Sequence, residues 1–471
     1  MYIWALALTL FGFSSCLKDH STDAVNAISR IEVVKPLEAQ YTAQRWSTIM
    51  IEAPQLKQSN VAKEISYEWQ INYKTVGQGA TLTYLCEHYG VFPGRLKISN
   101  GDEIKYLDFS LEVPLPYGKG LYALAEKGGR VILSYEPVDA EGKSFVLDAL
   151  ASNNKQVDFS GSASAITYSA VASRTSVPSM FIGLSNPDRM YTLHADSMLV
   201  TKKTDLPGPV QSLLQRTKLT NIITQGGIVT LDFDEFILNN ASWRGYNATL
   251  GGVELANDMV GWRKTHPTLL HGLALWDNKV GRLIAINADE SVNVALQPLP
   301  QNPFAGYKLL RMVQADDRRK LGLFLYKEAE NTITHALVHP GLYRYSTTEV
   351  NAQVEYQGVV AASANLDRNS AITSAPARDI AYYSHGASVY GYSLKSAGNF
   401  TGTPLFTLSD ASATIADMLV SPDERYLYIA ANNTSGDLVG SLYCYDLVNN
   451  SMLWERKNVT GQVKKLSYRA E

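Results

Sequence analysis

Apolar and polar positions alternate along much of the chain with a period of two, the pattern of strands with one buried face. From Ile65 to Tyr73, the residues Tyr67, Trp69, Ile71 and Tyr73 fall on one face. From Tyr106 to Val113, Tyr106, Asp108, Ser110 and Glu112 alternate with Leu107, Phe109, Leu111 and Val113. Between these runs, Val91 to Ser99 reads as a further strand, Gly77 to Gly79 as a turn and Asn100-Gly101-Asp102 as a tight hairpin turn. Ile31 and Val33, ahead of Pro36, predict a first strand. Strands broken by such frequent turns predict a small β-sandwich over 31–115. Pro114 and Pro116, which cannot donate to a ladder, close it.

From residue 116 a longer rhythm takes over. A short apolar strand, a polar turn and a second strand recur: Leu121–Ala125 with Arg130–Tyr135, Met180–Leu184 with Met190–Leu193, then Ile228–Leu231. Gly272–Trp276 with Gly281–Ile286, Gly322–Tyr326, Ile380–Tyr383 with Ser388–Tyr392, and Tyr426–Ala430 with Ser441–Asp446 continue it. The units start roughly 45–60 residues apart, about seven times, which is the period of propeller blades. One blade cannot bury both faces of its own sheet, so blades stack into a ring with short, protected edges. In the last unit Ser421-Pro422-Asp423 precedes one apolar strand, and Leu442–Leu447 leads into Ser451–Trp454. That arrangement resembles blades of WD-repeat and quinoprotein-type propellers. The expectation is a β-propeller of about seven blades over 116–471, against the alternative of a large irregular sandwich or a second stack of sandwiches.

Composition agrees with an all-β chain. Tyr outnumbers Phe by 27 to 13, and Tyr suits strands whose exposed face needs a polar tip. Lys plus Arg is 42 against 45 for Asp plus Glu, a net charge of −3. That balance argues against nucleic acid as a partner, which demands a basic surface.

The first residues, Met1 to Phe13, are almost wholly apolar but too short to span a bilayer. They read as the core of an export signal, and Ser14-Ser15-Cys16 resembles the lipobox of bacterial lipoproteins. The likeness implies a signal over 1–16, cleavage before Cys16, acylation of its thiol and a flexible tether over 17–30. No Lys or Arg precedes the apolar run, a departure from the usual signal. Cys86 and Cys444, each in an apolar β-like run, read as buried free thiols.

The whole arrangement resembles the PKD-like surface lipoproteins of Bacteroidota. The residues that carry the likeness are Cys16, Tyr67-Glu68-Trp69, Leu82-Thr83-Tyr84, Val91 to Asn100, Phe109 to Val113 and Gly120 to Leu124. The resemblance implies an N-terminal immunoglobulin/PKD-like β-sandwich followed by the propeller. It also implies an outer-membrane, lipid-anchored, surface-facing location. Such lipoproteins accompany a SusC-like TonB-dependent transporter and a SusD-like lipoprotein, so the implied role is an accessory subunit in nutrient uptake.

Searches for catalytic patterns find no Gly-x-Ser-x-Gly elbow, His-Glu-x-x-His helix or phosphate-binding loop. His335 and His339 have helical metal-ligand spacing, but they lie in a strand-like run where positions four apart sit ~13 Å from one another. Asp232-Phe233-Asp234-Glu235 lacks the Gly-spaced loop of a calcium site, and Asp316 to Lys320 reads as a self-paired charged turn. No catalytic, metal or cofactor residue is therefore assigned. The candidate ligand or partner residues are Trp243, Arg244, Tyr246, Trp262, Arg263, His266, His271 and Trp276, since Trp and Arg are the residues of interface hot spots. Blade packing by the Trp side chains is the competing reading. Asp196-Ser197-Met198 resembles a short O-glycosylation motif. The expected function is non-catalytic substrate binding or docking, with an oligopeptide or oligosaccharide as ligand. A propeller-based hydrolase or lyase acting on glycans or peptides, and an adhesin, are the alternatives.

Overall fold

The computed structural model describes residues 28–138, 143–170, 177–206, 208–216, 219–224, 227–232, 235–238, 254–261, 271–288, 302–316, 320–340, 342–344, 347–350 and 352–470. The chain divides into two compact units, one ending at Leu115 and the other beginning at Pro116. Among the described residues no helix is long and apolar enough to cross a membrane.

The first unit holds a five-stranded sheet in the order Gln40–Thr42, Ile104–Val113, Gly90–Ser99, Ser66–Ile71, Lys74–Gln78. Two two-stranded sheets, Ile31–Lys35 with Gln55–Gln58 and Thr48–Glu52 with Thr81–Leu85, complete it. Its core gathers the inward positions of the alternating strands: Trp69, Ile71, Leu96, Ile98, Phe109, Leu111 and Val113. Trp69 is fully buried, donates its indole N–H to Gly79 O at 3.0 Å and meets Phe109 edge-on. Asn100 and Gly101 make the expected hairpin turn. Gly101 takes φ 87°, and the Asn100 Oδ1 accepts the Asp102 and Glu103 amides at 3.1 and 2.9 Å. Two expectations need correction. The strand ends at Ile71, because Asn72 and Tyr73 turn the chain with φ 50° and 63°, leaving Tyr73 80% exposed. Gly77 lies inside a strand rather than in a turn, packed where a Cβ would crowd Leu82.

Among the described residues of the second unit seven sheets follow one another, with a further strand pair, Leu342–Arg344 and Thr347–Val350, between two strands of the fifth. Each predicted apolar hairpin forms neighbouring strands of one blade: Tyr426–Asn432 with Gly440–Asp446 are the middle pair of a four-stranded sheet, and Gly120–Lys127 with Arg130–Pro137 are the middle and edge strands of a three-stranded one. Middle strands are buried on both faces, so they read as continuous apolar runs; all of Gly120–Ala125 and Gly440–Asp446 are buried. Blades lean on one another through these faces. Gly183, for example, leaves no room for a Cβ against Val210 of the next blade.

The ring closes by exchange between its two ends. The first blade takes its inner strand, Gln462–Arg469, from the end of the chain, antiparallel to Gly120–Lys127. The joint is tied by side chains as well. Asn432 brackets Val463, donating to its carbonyl at 2.9 Å and accepting its amide at 2.8 Å. Arg456 of the seventh blade reaches the buried Glu136 of the first at 3.1 Å. Arg469 donates to Ala195 O at 3.0 Å and to Asp196 at 2.6 Å in the second blade.

The inner strands share a device. Five of them carry one extra residue near their start, so the ladder skips between Ala163 and Ala165, Val210 and Ser212, Leu309 and Arg311, Ile415 and Asp417, and Val463 and Lys465. A bulge bends the strand and re-aims the next side chain. Ala165, Ser212, Arg311, Asp417 and Lys465 therefore hold matching positions around the axis.

Candidate functional site

Among the described residues two cavities lie along the inner strands, one towards their ends and one towards their starts. The wide one, about 880 Å³, is lined by residues that end those strands: Tyr168, Gln314, Ser374, Val420 and Tyr468. Pro376–Arg378 and Ser421–Glu424, the turns that follow two of the strands, complete its rim. The turns are held together across the blades. Ala377 donates its amide to Glu424 at 2.9 Å, and Arg378 donates to Leu447 O at 3.3 Å. Ser374 donates to Gln314 O at 2.7 Å, fixing two neighbouring strand ends. Both tyrosines are braced from behind. Tyr468 stacks on Tyr428 at 5.0 Å, and the Arg469 guanidinium sits 5.4 Å from the Tyr168 ring. The result is a polar funnel with two supported aromatic rings, suited to an extended ligand with both apolar faces and hydrogen-bonding groups.

The second cavity, about 630 Å³, opens where the inner strands begin. Gln211, Arg311 and Lys465 line it with Glu254, Asn257 and Asp258, which precede the short inner strand of the fourth blade. Asp258 accepts the Met259 and Met312 amides at 3.0 and 2.7 Å and lies 3.6 Å from Arg311. Asp258, and beyond it Asp417, hold the Arg311 guanidinium above its ordinary pKa.

The residues singled out from sequence have different fates. Trp243, Arg244, Tyr246, Trp262, Arg263 and His266 lie outside the described residues, as does Cys16. His271 opens a middle strand of the fourth blade, and its side chain is not among those described. Trp276 is a correction: it is fully buried against Phe304, Leu323 and Leu325 between the fourth and fifth blades, so it packs blades and reaches no ligand. Its place in a middle strand, buried on both faces, is the physical reason. Ser197 is only 3% exposed, so the three-residue glycosylation motif presents no open hydroxyl in this fold, while Asp196 serves Arg469. His335 lies on a strand, Thr332–His339, as the sequence suggests. It is buried among Phe324, Tyr392 and Phe400, and burial pushes its pKa down to about 3, keeping it neutral. No group of three metal-ligating side chains converges among the described residues. Asp316 accepts the Lys320 amide at 2.8 Å, while the Lys320 ammonium pairs with Glu355 at 2.7 Å rather than within the turn; residues 317–319 lie outside the described residues. Asp232 and Glu235 pair between neighbouring strands, and residues 233–234 lie outside the described residues. Cys86 and Cys444 are buried and form no disulfide with each other.

The lining of both cavities escaped sequence reading. Its one usable signal was the Ser421-Pro422-Asp423 turn, which marks an inner strand ending at Val420.

No family model matches the chain, and no curated protein does. Among solved structures it is similar to a quinonprotein alcohol dehydrogenase-like protein of Bacteroides thetaiotaomicron VPI-5482. That match has 14% identity and a TM-score of 0.50, over 93% of this chain and 99% of that one. The second unit is about three quarters of the chain, so a match of that extent takes in part of the first unit too. At 10% identity, the chain also matches BamB of Moraxella catarrhalis (TM-score 0.38, 70% of this chain and 92% of that one) and the Cps50 (Swd1) β-propeller domain of Myceliophteria thermophila (TM-score 0.40, 68% and 94%). At these identities the likeness is one of fold: an all-β chain with a propeller.

Proposed function

We propose that this chain is a lipid-anchored, surface-exposed accessory protein of a SusC/SusD-type uptake system. It presents its ring as a non-catalytic platform for an oligopeptide or oligosaccharide. The first unit, read as an immunoglobulin/PKD-like module, serves as spacer or docking piece, and Cys16 carries the lipid. The observation that carries the binding reading is the wide funnel, where five inner strands converge and two braced tyrosines stand beside amide, hydroxyl and charged groups.

The reading makes a direct expectation for the funnel. Arrays of defined oligosaccharides and oligopeptides should yield a ligand whose affinity falls about tenfold on Gln314→Ala or Tyr168→Ala, since one hydrogen bond or one stacking contact contributes about 1–1.5 kcal/mol. The melting temperature of Gln314→Ala should stay close to that of the parent. A ligand that binds both variants as tightly as the parent protein would move the site elsewhere.

A further inference from the structure

From the second cavity we infer a carboxylate-binding site on the axis of the ring, built around Lys465 and Arg311, at the opposite end of the inner strands from the funnel. Two observations carry it. The repeated bulge places Arg311, Asp417 and Lys465 at matching positions on their inner strands, and both cations line one cavity of about 630 Å³. Their hydrogen-bonding capacity is also in surplus. Lys465 has three donors and, among the described residues, no side-chain partner within bonding distance. Arg311 gives its Nε to Ile372 O at 3.1 Å and has only the loose 3.6 Å contact with Asp258, leaving most of its five donors unspent.

The acids nearby offset part of the Arg311 charge but take few of these donors. Asp258 gives one oxygen to each of two backbone amides, and Asp417 accepts the Leu466 amide at 2.8 Å. A single ligand carboxylate supplies the missing acceptors in the geometry that guanidinium and ammonium groups favour. The exposed Glu254 on the same cavity disfavours polyanions, which selects ligands with one carboxylate over polyphosphates. Two ligand sources share this chemistry: the C-terminus of a short peptide and the uronate of an acidic sugar. The inference stands apart from the wide funnel and from the transporter role.

The test is titration of the full chain, by calorimetry in low salt, with four probes: an N-acetylated tripeptide with a free C-terminus, the same peptide amidated, glucuronate and glucose. Loss of the charge should weaken binding about tenfold or more, as for charge-assisted hydrogen bonds. A free peptide that binds while its amide does not identifies a peptide terminus, and glucuronate binding without glucose binding identifies a uronate. Lys465→Met should abolish the preference and Lys465→Arg restore it, with the exposed Tyr73→Ala as the variant that leaves it unchanged. Arg311→Lys provides a second variant that keeps the charge but loses the fork, and should bind several-fold more weakly. Equal binding of acid and neutral probes, no binding of either acid, or an unaltered preference in Lys465→Met would overturn the site.

Discussion

A chain ending at residue 461 should fail to form the ring. Removing Gln462–Arg469 strips the inner strand from the first blade and uncovers the whole edge of Gly120–Lys127. Buried Val463 and Leu466 are lost with it, each contributing about 1.5–3 kcal/mol by burial. So are the Asn432–Val463 pair, the Leu466 bond to Asp417 and the Arg469 anchor on Ala195 and Asp196. Together these rival the whole stability of an ordinary domain, about 5–15 kcal/mol. An uncovered, flat, apolar strand edge also invites pairing between molecules. The expected result is loss of the cooperative thermal transition of the ring and recovery of the chain as aggregate. A truncated chain that stays soluble and melts at the parent temperature would show that the last strand is an ornament rather than a closure.

The second large effect belongs to the first unit. Trp69→Ala should cost about 3–5 kcal/mol, the range for emptying a fully buried aromatic site. Trp69 sits at the centre of that core, meets Phe109 with ring centroids 6.0 Å apart, and ties its indole N–H to the turn at Gly79. In a unit of this size such a loss lowers the midpoint by about 15 °C or more. Tyr73→Ala, by contrast, should change stability by less than about 0.5 kcal/mol, because that ring is 80% exposed. Denaturant melts of the two variants followed by tryptophan fluorescence and circular dichroism measure the contrast. Equal effects would mean that the buried face of Ser66–Ile71 has been misidentified.

What the sequence disclosed, and what it hid, follows from how each strand meets solvent. Middle strands such as Leu321–Lys327 are buried on both faces and announce themselves as apolar runs. The inner strands do not, because one face looks into the axis and because the bulge breaks the alternation. Val463-Lys464-Lys465-Leu466 puts two lysines side by side and gives no apolar run, yet it forms the strand that closes the ring. Outer strands such as Gln353–Val359 are half exposed and mostly polar, so they carry little signal either. The cavities inherit this silence, since they are built from inner-strand ends that only the ring brings together. Composition misled in the opposite direction at Trp276. Trp and Arg suggested an interface, while position in a doubly buried strand made that ring a packing element. The first unit was more legible because its long strands have one wet face; the alternation from Tyr106 to Val113 is reproduced residue by residue.

Gentle detergent extraction of native membranes, followed by affinity capture of the tagged full-length chain and mass spectrometry of what accompanies it, tests the proposed role most directly. Co-elution of a large TonB-dependent outer-membrane barrel and a SusD-like lipoprotein in stoichiometric amounts, lost when Cys16 is replaced by Ser, is the expected result. A chain that elutes alone from the same extract, or that is recovered without membranes at all, would contradict it.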